Sequence, residues 1–531
     1  MNNVELLVKI LKNSGIENVF GVPSGPVLPL IEALRNSDST NFVLTASETS
    51  AAFMAETSGR LSGIPGVCVS TLGPGATNLS TGVGGAWLDE SPLIAIVCTY
   101  KESMLERRTQ MRIDHLSLFS SFTKGQIRLS RSNFESNVRA ALELATKEPP
   151  GPVLLELPED VGLAPAEVMS RKIHLNTKPE TSPAFIDEMS ALLSASKRPL
   201  VVTGQGFTRT RNPLRLFEFL QKQRLPYVST LHAKGFLPES YVGSLGVIGR
   251  ARRTDVKEIS QSSDLIIAIG YDPVEINYEE WLEGIPVAHL SWSAADSQSE
   301  VEFVLDTFGD LDSLISDLLN IAPITNEWSS EQWIAHQKRF QENLRPLSQN
   351  FTADKVLDVL RKALPDDSIL TYDVGAHTHQ IASQWRTDKP NSIVATNGWS
   401  SMGYGMPSAY AAKLLYPDQT VVGVVGDGCF QMTVGELATA RRLNLKVPII
   451  VLNDGWLGLM KVKQEKADLG IGDSYLGAPF TSPSNYFGVP CHSADDPESF
   501  AELLTWALSI NGPSVIEVNI DVESYSSTVF D

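Results

Sequence analysis

Strand-sized apolar runs alternate along this chain with amphipathic stretches of helical period. They include Ile64–Thr71, Leu93–Cys98 and Pro152–Pro158, then Pro199–Thr203 and Asp264–Gly270, and finally Val421–Gly428 and Val447–Asp454. Most are apolar at consecutive positions, which suits strands covered on both faces. Helices alternating with such strands predict an α/β fold on parallel sheets. The polar segment from Met169 to Pro183 reads as a linker, and Asn326 to Leu347 as a charged helical connector. These divide the chain into blocks at 1–168, 184–325 and 350–531, with no short repeat and no low-complexity tract.

The most informative unit is Val421-Val-Gly-Val-Val-Gly-Asp-Gly428, an amphipathic stretch from Thr433 to Arg442, and a second run ending in Asn453-Asp454. The pattern predicts strand, glycine turn, helix and strand, with the two strand ends side by side. Carboxylates at neighbouring strand ends can share a divalent ion, and small glycines let a phosphate approach the backbone. A lone Gly-Asp-Gly is more often a solvated turn. The second acidic strand end shifts the reading to a metal-held diphosphate.

At 531 residues, 42% apolar and 20% charged, the chain reads as a soluble multidomain protein. No run is long enough for a membrane span, the N-terminus starts an amphipathic helix instead of a signal peptide, and the C-terminus shows no lipidation motif. A net charge of −19 argues against nucleic-acid binding and suits a cytoplasmic enzyme whose anionic cofactor is held by a metal or a locally positive site. Cys68, Cys98, Cys429 and Cys491 show no Cys-x-x-Cys spacing, and the first two read as small buried thiols of a reducing compartment.

Five segments carry a resemblance: Ser47-Glu-Thr-Ser-Ala-Ala52, Thr71-Leu-Gly-Pro-Gly-Ala-Thr-Asn78, Asp373-Val-Gly-Ala-His377, Gly398-Trp-Ser-Ser-Met-Gly-Tyr-Gly405, and Gly426-Asp-Gly428 with Asn453-Asp454. In order and spacing they resemble the motifs of the acetolactate synthase-like superfamily of thiamine-diphosphate enzymes, whose signature usually ends in Asn-Asn. The resemblance implies three doubly wound parallel-sheet domains: pyrimidine-binding, central and diphosphate-binding. It also implies thiamine diphosphate and Mg²⁺, and an active site shared between subunits of a homodimer or homotetramer. Bound FAD is not expected.

Glu48 would then be the catalytic carboxylate, buried enough to share a proton with the pyrimidine ring. Asp427, a side-chain oxygen of Asp454 and the backbone carbonyl of Trp456 would hold the metal, while Asn453 orients the turn. His377 would meet the diphosphate, as would the N–H groups of Gly428 and Cys429. Ser400 would offer its carbonyl to the pyrimidine amino group, and Met402 would pack under the bent cofactor. Asp454 departs from the usual asparagine; it keeps an oxygen but adds a negative charge. Without the resemblance, Glu48 reads as a glutamate at a helix N-terminus and His377 as a turn histidine.

Substrate chemistry is less legible. Gln110 matches a catalytic glutamine of benzaldehyde lyase, whereas acetolactate synthases place theirs at Met111. His115 stands alone, without the His-His pair of pyruvate decarboxylases, and Pro26 in Gly21-Val-Pro-Ser-Gly-Pro26 supplies no proton donor. Lys461, Lys463 and Gln464 follow the metal strand where acetolactate synthases line the acceptor site. A lysine pair also reads as a solvated face, yet a cation there suits a 2-oxo-carboxylate. Gly204-Gln-Gly206 and Gly270-Tyr-Asp-Pro273 resemble the central domain of flavin-free acetolactate synthases. The implied activity is decarboxylation of a 2-oxo acid with carboligation to a second carbonyl compound. Alternatives on the same scaffold are an aldehyde lyase, a non-ligating decarboxylase, or a catalytically silent binding or regulatory paralogue.

Overall fold

Three sheets account for the apolar runs in the computed structural model, which describes residues 1–168, 173–175, 185–276, 279–282, 284–296, 301–477 and 484–529. The first contains β1 (Asn18–Gly21), β2 (Asn41–Leu44), β3 (Gly66–Thr71), β4 (Leu93–Thr99), β5 (Gly125–Arg128) and β6 (Pro152–Pro158), in the order β2-β1-β3-β4-β6-β5. The second contains β7 (Pro199–Thr203), β8 (Tyr227–Ser229), β9 (Ser244–Val247), β10 (Leu265–Ile269), β11 (Val287–Ser291) and β12 (Phe303–Phe308), in the order β12-β11-β10-β7-β8-β9. The third contains β13 (Ile369–Tyr372), β14 (Ile393–Val394), β15 (Val421–Gly426), β16 (Pro448–Asn453), β17 (Asn485–Tyr486), β18 (Val489–Ala494) and β19 (Ser514–Asn519). Its order is β14-β13-β15-β16-β19-β18-β17, and among the described residues only β17 with β18 is antiparallel.

β3, β4, β6, β7, β10, β15 and β16 are buried at every position, which explains why their sequences do not alternate. β3 starts at Gly66 and not at Ile64, because Pro65 has no N–H to give the ladder. The connector forms a helix over Ser330–Asn343, closed by a capping box between Ser329 and Gln332. Apart from 173–175, the expected linker lies outside the described residues.

One expectation fails instructively. The helix placed from Thr433 begins at Asp427, running over Asp427–Thr433 and resuming over Glu436–Arg442. Gly426 is extended, and the strand passes directly into the helix without a glycine turn. The Asp427 carboxylate accepts the N–H of Gly428, one of the free donors of the first helical turn, and so allows that abrupt start.

The first and third sheet units share one apolar cluster. In it the helix Glu48–Ser62 packs close to the helix Pro74–Leu88 because both carry small residues; a Cβ on Gly82 would lie 2.4 Å from that of Ala52. Phe53 meets Tyr404 edge-on at 5.5 Å between centroids. Arg60 joins all three units: it donates to Ala395 O (2.7 Å) and Tyr404 OH (2.6 Å) and faces His232 Nε2 (3.1 Å). Among the described residues no helix is long and apolar enough to cross a membrane.

Candidate active site

β15 and β16 are parallel neighbours with Gly426 opposite Leu452, so the residues after them leave the sheet side by side. Asp427 is 4% exposed; its Oδ1 accepts from Gly428 N (2.8 Å) and its Oδ2 from Gly455 N (2.9 Å). It therefore ties the two strand ends together. Asp454 Oδ1 accepts from Trp456 N (2.8 Å). Asn453 turns inward, donating to Glu517 and accepting from Gly455 N (2.9 Å). Burial pushes the Asp427 carboxyl up to about 6, and burial followed by the charge of Asp427 raises that of Asp454.

Two desolvated carboxylates that repel each other fit a divalent cation. Among the described residues no cluster of three or more His, Cys, Asp or Glu side chains is placed to hold a metal. This donor set suits an ion that completes its shell with carbonyl, phosphate and water oxygens. His377 supplies a second sign of fit. Its ring lies on Gly375 and Gly426, where added Cβ atoms would come within 2.9 and 3.1 Å. Its Nε2 is buried without a hydrogen-bond partner, and burial pushes the imidazole down to about 4. A phosphate oxygen is a partner that this nitrogen lacks. Gly428 sits beneath the Met402 methyl, which would be 3.2 Å from a Cβ there.

Asp373, quoted above only within a motif, organises this half of the site. Its Oδ1 accepts from Val374 N (2.8 Å) and Gly403 N (2.9 Å), and its Oδ2 from Gly405 N (2.8 Å). The segment before His377 is thereby locked to the turn after Met402, and Cys429 Sγ donates to Val374 O (3.1 Å). An acid just after a strand, with a glycine two residues on at Gly375, was the signal available. Asp373→Asn turns an amide toward N–H donors and should cost about 1–3 kcal/mol, read as a lowered thermal midpoint. An unchanged midpoint would remove this role.

Ser400 holds a left-handed φ of +50°, with its Oγ donating to Asn397 O (2.5 Å). The loop is clamped from outside its own sheet unit. Asp89 accepts from Thr396 Oγ1 (2.8 Å), Asn397 N (3.2 Å) and Gly398 N (2.7 Å), while Asn397 Nδ2 donates to Glu275 O (2.9 Å).

Glu48 belongs to another sheet. It opens the helix Glu48–Ser62 after the cap Ser47, and its Oε2 accepts from Asn78 Nδ2 (3.1 Å). A Cβ on Gly75 would lie 3.3 Å from its Oε1. Contrary to expectation, Glu48 is half-exposed, because its own chain leaves that side of the carboxylate uncovered. The third sheet unit of the same chain meets the preceding residues through Glu436, whose Oε1 accepts from Ala46 N (2.9 Å) and Ser47 N (3.2 Å). The chain thus gathers Asp427, Gly428, Cys429, His377, Met402, Asp454 and Trp456 at the ends of β13, β15 and β16, and sets Glu48 apart with Gly75 and Asn78.

Gln110 is exposed. Beside it Met111 is left-handed, and its carbonyl packs on Gly73, where a Cβ would come within 2.4 Å. The lysine pair divides. Lys461 is not on a solvated face: it is buried, bonded to Glu465 (2.5 Å) and Glu523 (2.7 Å), and sits over the Trp456 ring. Lys463 is exposed. In the central unit Gln205 N donates to Glu275 Oε2 (2.7 Å) and Gly206 N to Gly270 O (2.9 Å), so these two N–H groups of the glycine turn already have acceptors. All four cysteines are free and buried.

Comparison with known proteins agrees with this layout. Residues 1–118 match the N-terminal TPP binding domain of thiamine pyrophosphate enzymes, 186–318 their central domain, and 373–518 their C-terminal TPP binding domain. The chain is 30% identical to the probable acetolactate synthase large subunit of Methanocaldococcus jannaschii, over 98% of this chain and 92% of the relative. It is 29% identical to the acetolactate synthase isozyme 1 large subunit of Escherichia coli (98% and 94% covered) and 28% to the acetolactate synthase of Bacillus subtilis (97% and 93%).

Proposed function

The chain belongs to the thiamine pyrophosphate enzymes, and we propose that it decarboxylates a 2-oxo acid and joins the remaining fragment to a second carbonyl compound, as an acetolactate synthase does. The observation that carries this reading is the pair of carboxylates at adjacent strand ends, Asp427 buried and Asp454 half-buried, beside the unpartnered Nε2 of His377. On this reading residues 1–168 bind the pyrimidine, 184–325 form the central domain, and 350–531 bind the diphosphate through Mg²⁺.

When bound, thiamine diphosphate supplies the carbon nucleophile and the electron sink for loss of CO₂. Asp427 and Asp454, with the carbonyl of Trp456, would hold the metal, and His377 Nε2 with the N–H of Cys429 would hold diphosphate oxygens; the expected Gly428 N–H is already donated to Asp427 Oδ1 and would have to leave it to join them. Met402 and the strained Ser400 turn would support the rings. Glu48 would hold and pass a proton at its carboxylate, and Gln110 would orient the substrate. The half-exposed state of Glu48 supports a homodimer or homotetramer in which a second subunit completes the site. Glu275 at the Gln205 N–H occupies a turn that a nucleotide phosphate would need, so FAD is not assigned.

The experiment is incubation with Mg²⁺, thiamine diphosphate and a panel of 2-oxo acids and aldehydes, with products identified by mass spectrometry. Acetolactate or another coupled hydroxy-ketone is expected. Acetaldehyde as the sole product from pyruvate, with no coupling across the panel, would replace carboligation by simple decarboxylation; cleavage of an added hydroxy-ketone would favour a lyase.

A further inference from the structure

A polar relay runs from Arg128 to the turn before the helix that meets Glu48. Arg128 Nε donates to Glu156 Oε2 (2.5 Å), Glu156 Oε1 faces His115 Nδ1 (2.8 Å), and His115 Nε2 faces the N–H of Gly73 (3.0 Å). The side chains of His115 and Glu156 have no exposed surface (0%). The N–H of Gly73 can only donate, so Nε2 must be the bare, accepting nitrogen, and Nδ1 must carry the proton that faces Glu156. Burial favours the neutral carboxyl of Glu156, but the bonds from His115 and Arg128 outweigh it and hold that group below its usual range. The charged carboxylate in turn keeps the Nδ1 proton in place.

The relay ends on a backbone turn that matters. Gly73 is left-handed (φ +63°), immediately precedes the helix Pro74–Leu88, and bears the Met111 carbonyl against its Cα. Gly75 lies beside Glu48 Oε1, where a Cβ would come within 3.3 Å, and Asn78 of the same helix donates to Glu48 Oε2 (3.1 Å). A shift of the Gly73 turn would therefore move both neighbours of that carboxylate, together with the loop that carries Gln110.

We infer that His115 is a positioning residue: the Arg128–Glu156–His115 relay holds the Gly73 turn so that Gly75 and Asn78 set the orientation of the Glu48 carboxylate. This rests on Glu48 being the proton-passing group. The test uses the enzyme loaded with Mg²⁺ and thiamine diphosphate, with His115→Leu and His115→Gln beside the parent. Exchange of the cofactor's C2 proton in D₂O is followed by NMR, together with kcat, KM and cofactor affinity from tryptophan fluorescence. Leucine fills the space but strands the Gly73 N–H, whereas glutamine can accept from Gly73 and donate to Glu156. His115→Leu should slow exchange and kcat about tenfold, with cofactor affinity within about twofold of the parent, and His115→Gln should recover most of the loss. Parent-like exchange in the leucine variant, a fall in cofactor affinity as large as the fall in rate, or a glutamine variant no better than leucine, overturns the role. If the leucine protein does not fold, His115→Asn, too short to span Glu156 and Gly73, takes its place under the same criteria. Glu48→Gln is run alongside. Parent-like exchange there removes the Glu48 reading itself; slow exchange there with normal exchange in the leucine variant removes only the positioning role.

Discussion

Glu48→Gln is expected to lower kcat by about 10²–10⁴-fold while thiamine diphosphate still binds. Glutamine keeps the length and shape of the side chain and can still accept from Asn78 Nδ2, so the helix start and its cap at Ser47 should survive. On the proposed role, what it loses is the capacity to hold a proton at the pyrimidine face. The change leaves the Asp427–Asp454 pair untouched, because those residues lie on a different sheet. Rate and affinity should thus separate: turnover collapses, and a cofactor titration by tryptophan fluorescence changes little. Retained turnover would overturn the assignment. Loss of cofactor binding in parallel with rate would make Glu48 a binding group instead.

Asp427→Ala should weaken Mg²⁺-dependent binding of thiamine diphosphate by at least about 100-fold, or roughly 2.7 kcal/mol. This carboxylate does two jobs. It is one of the two acidic groups that fit a cation, and it also accepts from Gly428 N and Gly455 N across the two strand ends. On the proposed reading alanine removes a metal oxygen; it also leaves the Gly428 N–H without its acceptor, while Gly455 N keeps Asn453 Oδ1. A chelator added to the parent protein should reproduce the loss of binding but not the loss of the strand-end bonds. Asp454→Asn provides the contrast, since it keeps a side-chain oxygen for the metal and an acceptor for Trp456 N and removes one of two repelling charges. It should bind the cofactor at least as tightly as the parent. Calorimetric titration of thiamine diphosphate with and without Mg²⁺ decides both; unchanged Mg²⁺-dependent affinity in Asp427→Ala would remove the metal site from these strand ends.

Local pattern made much of this molecule readable. β6 and β7 begin and end where the apolar runs do, because a strand buried on both faces is apolar at nearly every position. The helix start at Asp427 was misplaced for an equally physical reason. Gly-Asp-Gly satisfies the statistics of a turn, and only the N–H of Gly428 settling on the Asp427 carboxylate turns it into a first helical residue. Lys461 and Lys463 look alike on a helical pattern, but only Lys461 is buried, paired with Glu465 on its own helix and with Glu523 far along the chain. Asp373 was visible as a strand-end acid, although its acceptors' partners at Gly403 and Gly405 were not.

Glu48 as a separate carboxylate came only with the family resemblance; from the sequence's own pattern came the α/β class, the three blocks and the residue types for a metal-held diphosphate. Those features depend on periodicity, on glycine and on side-chain chemistry, all of which act over a few neighbouring residues. Tertiary structure alone decided which of these groups meet. It tied the two strand ends through Asp427 to Gly428 and Gly455, left His377 Nε2 buried without a partner, kept Glu48 half-exposed, and placed His115 between Glu156 and the Gly73 turn. Such meetings join residues tens to hundreds of positions apart. They are selected by packing of whole helices and sheets, where no single local preference is strong enough to dictate the outcome.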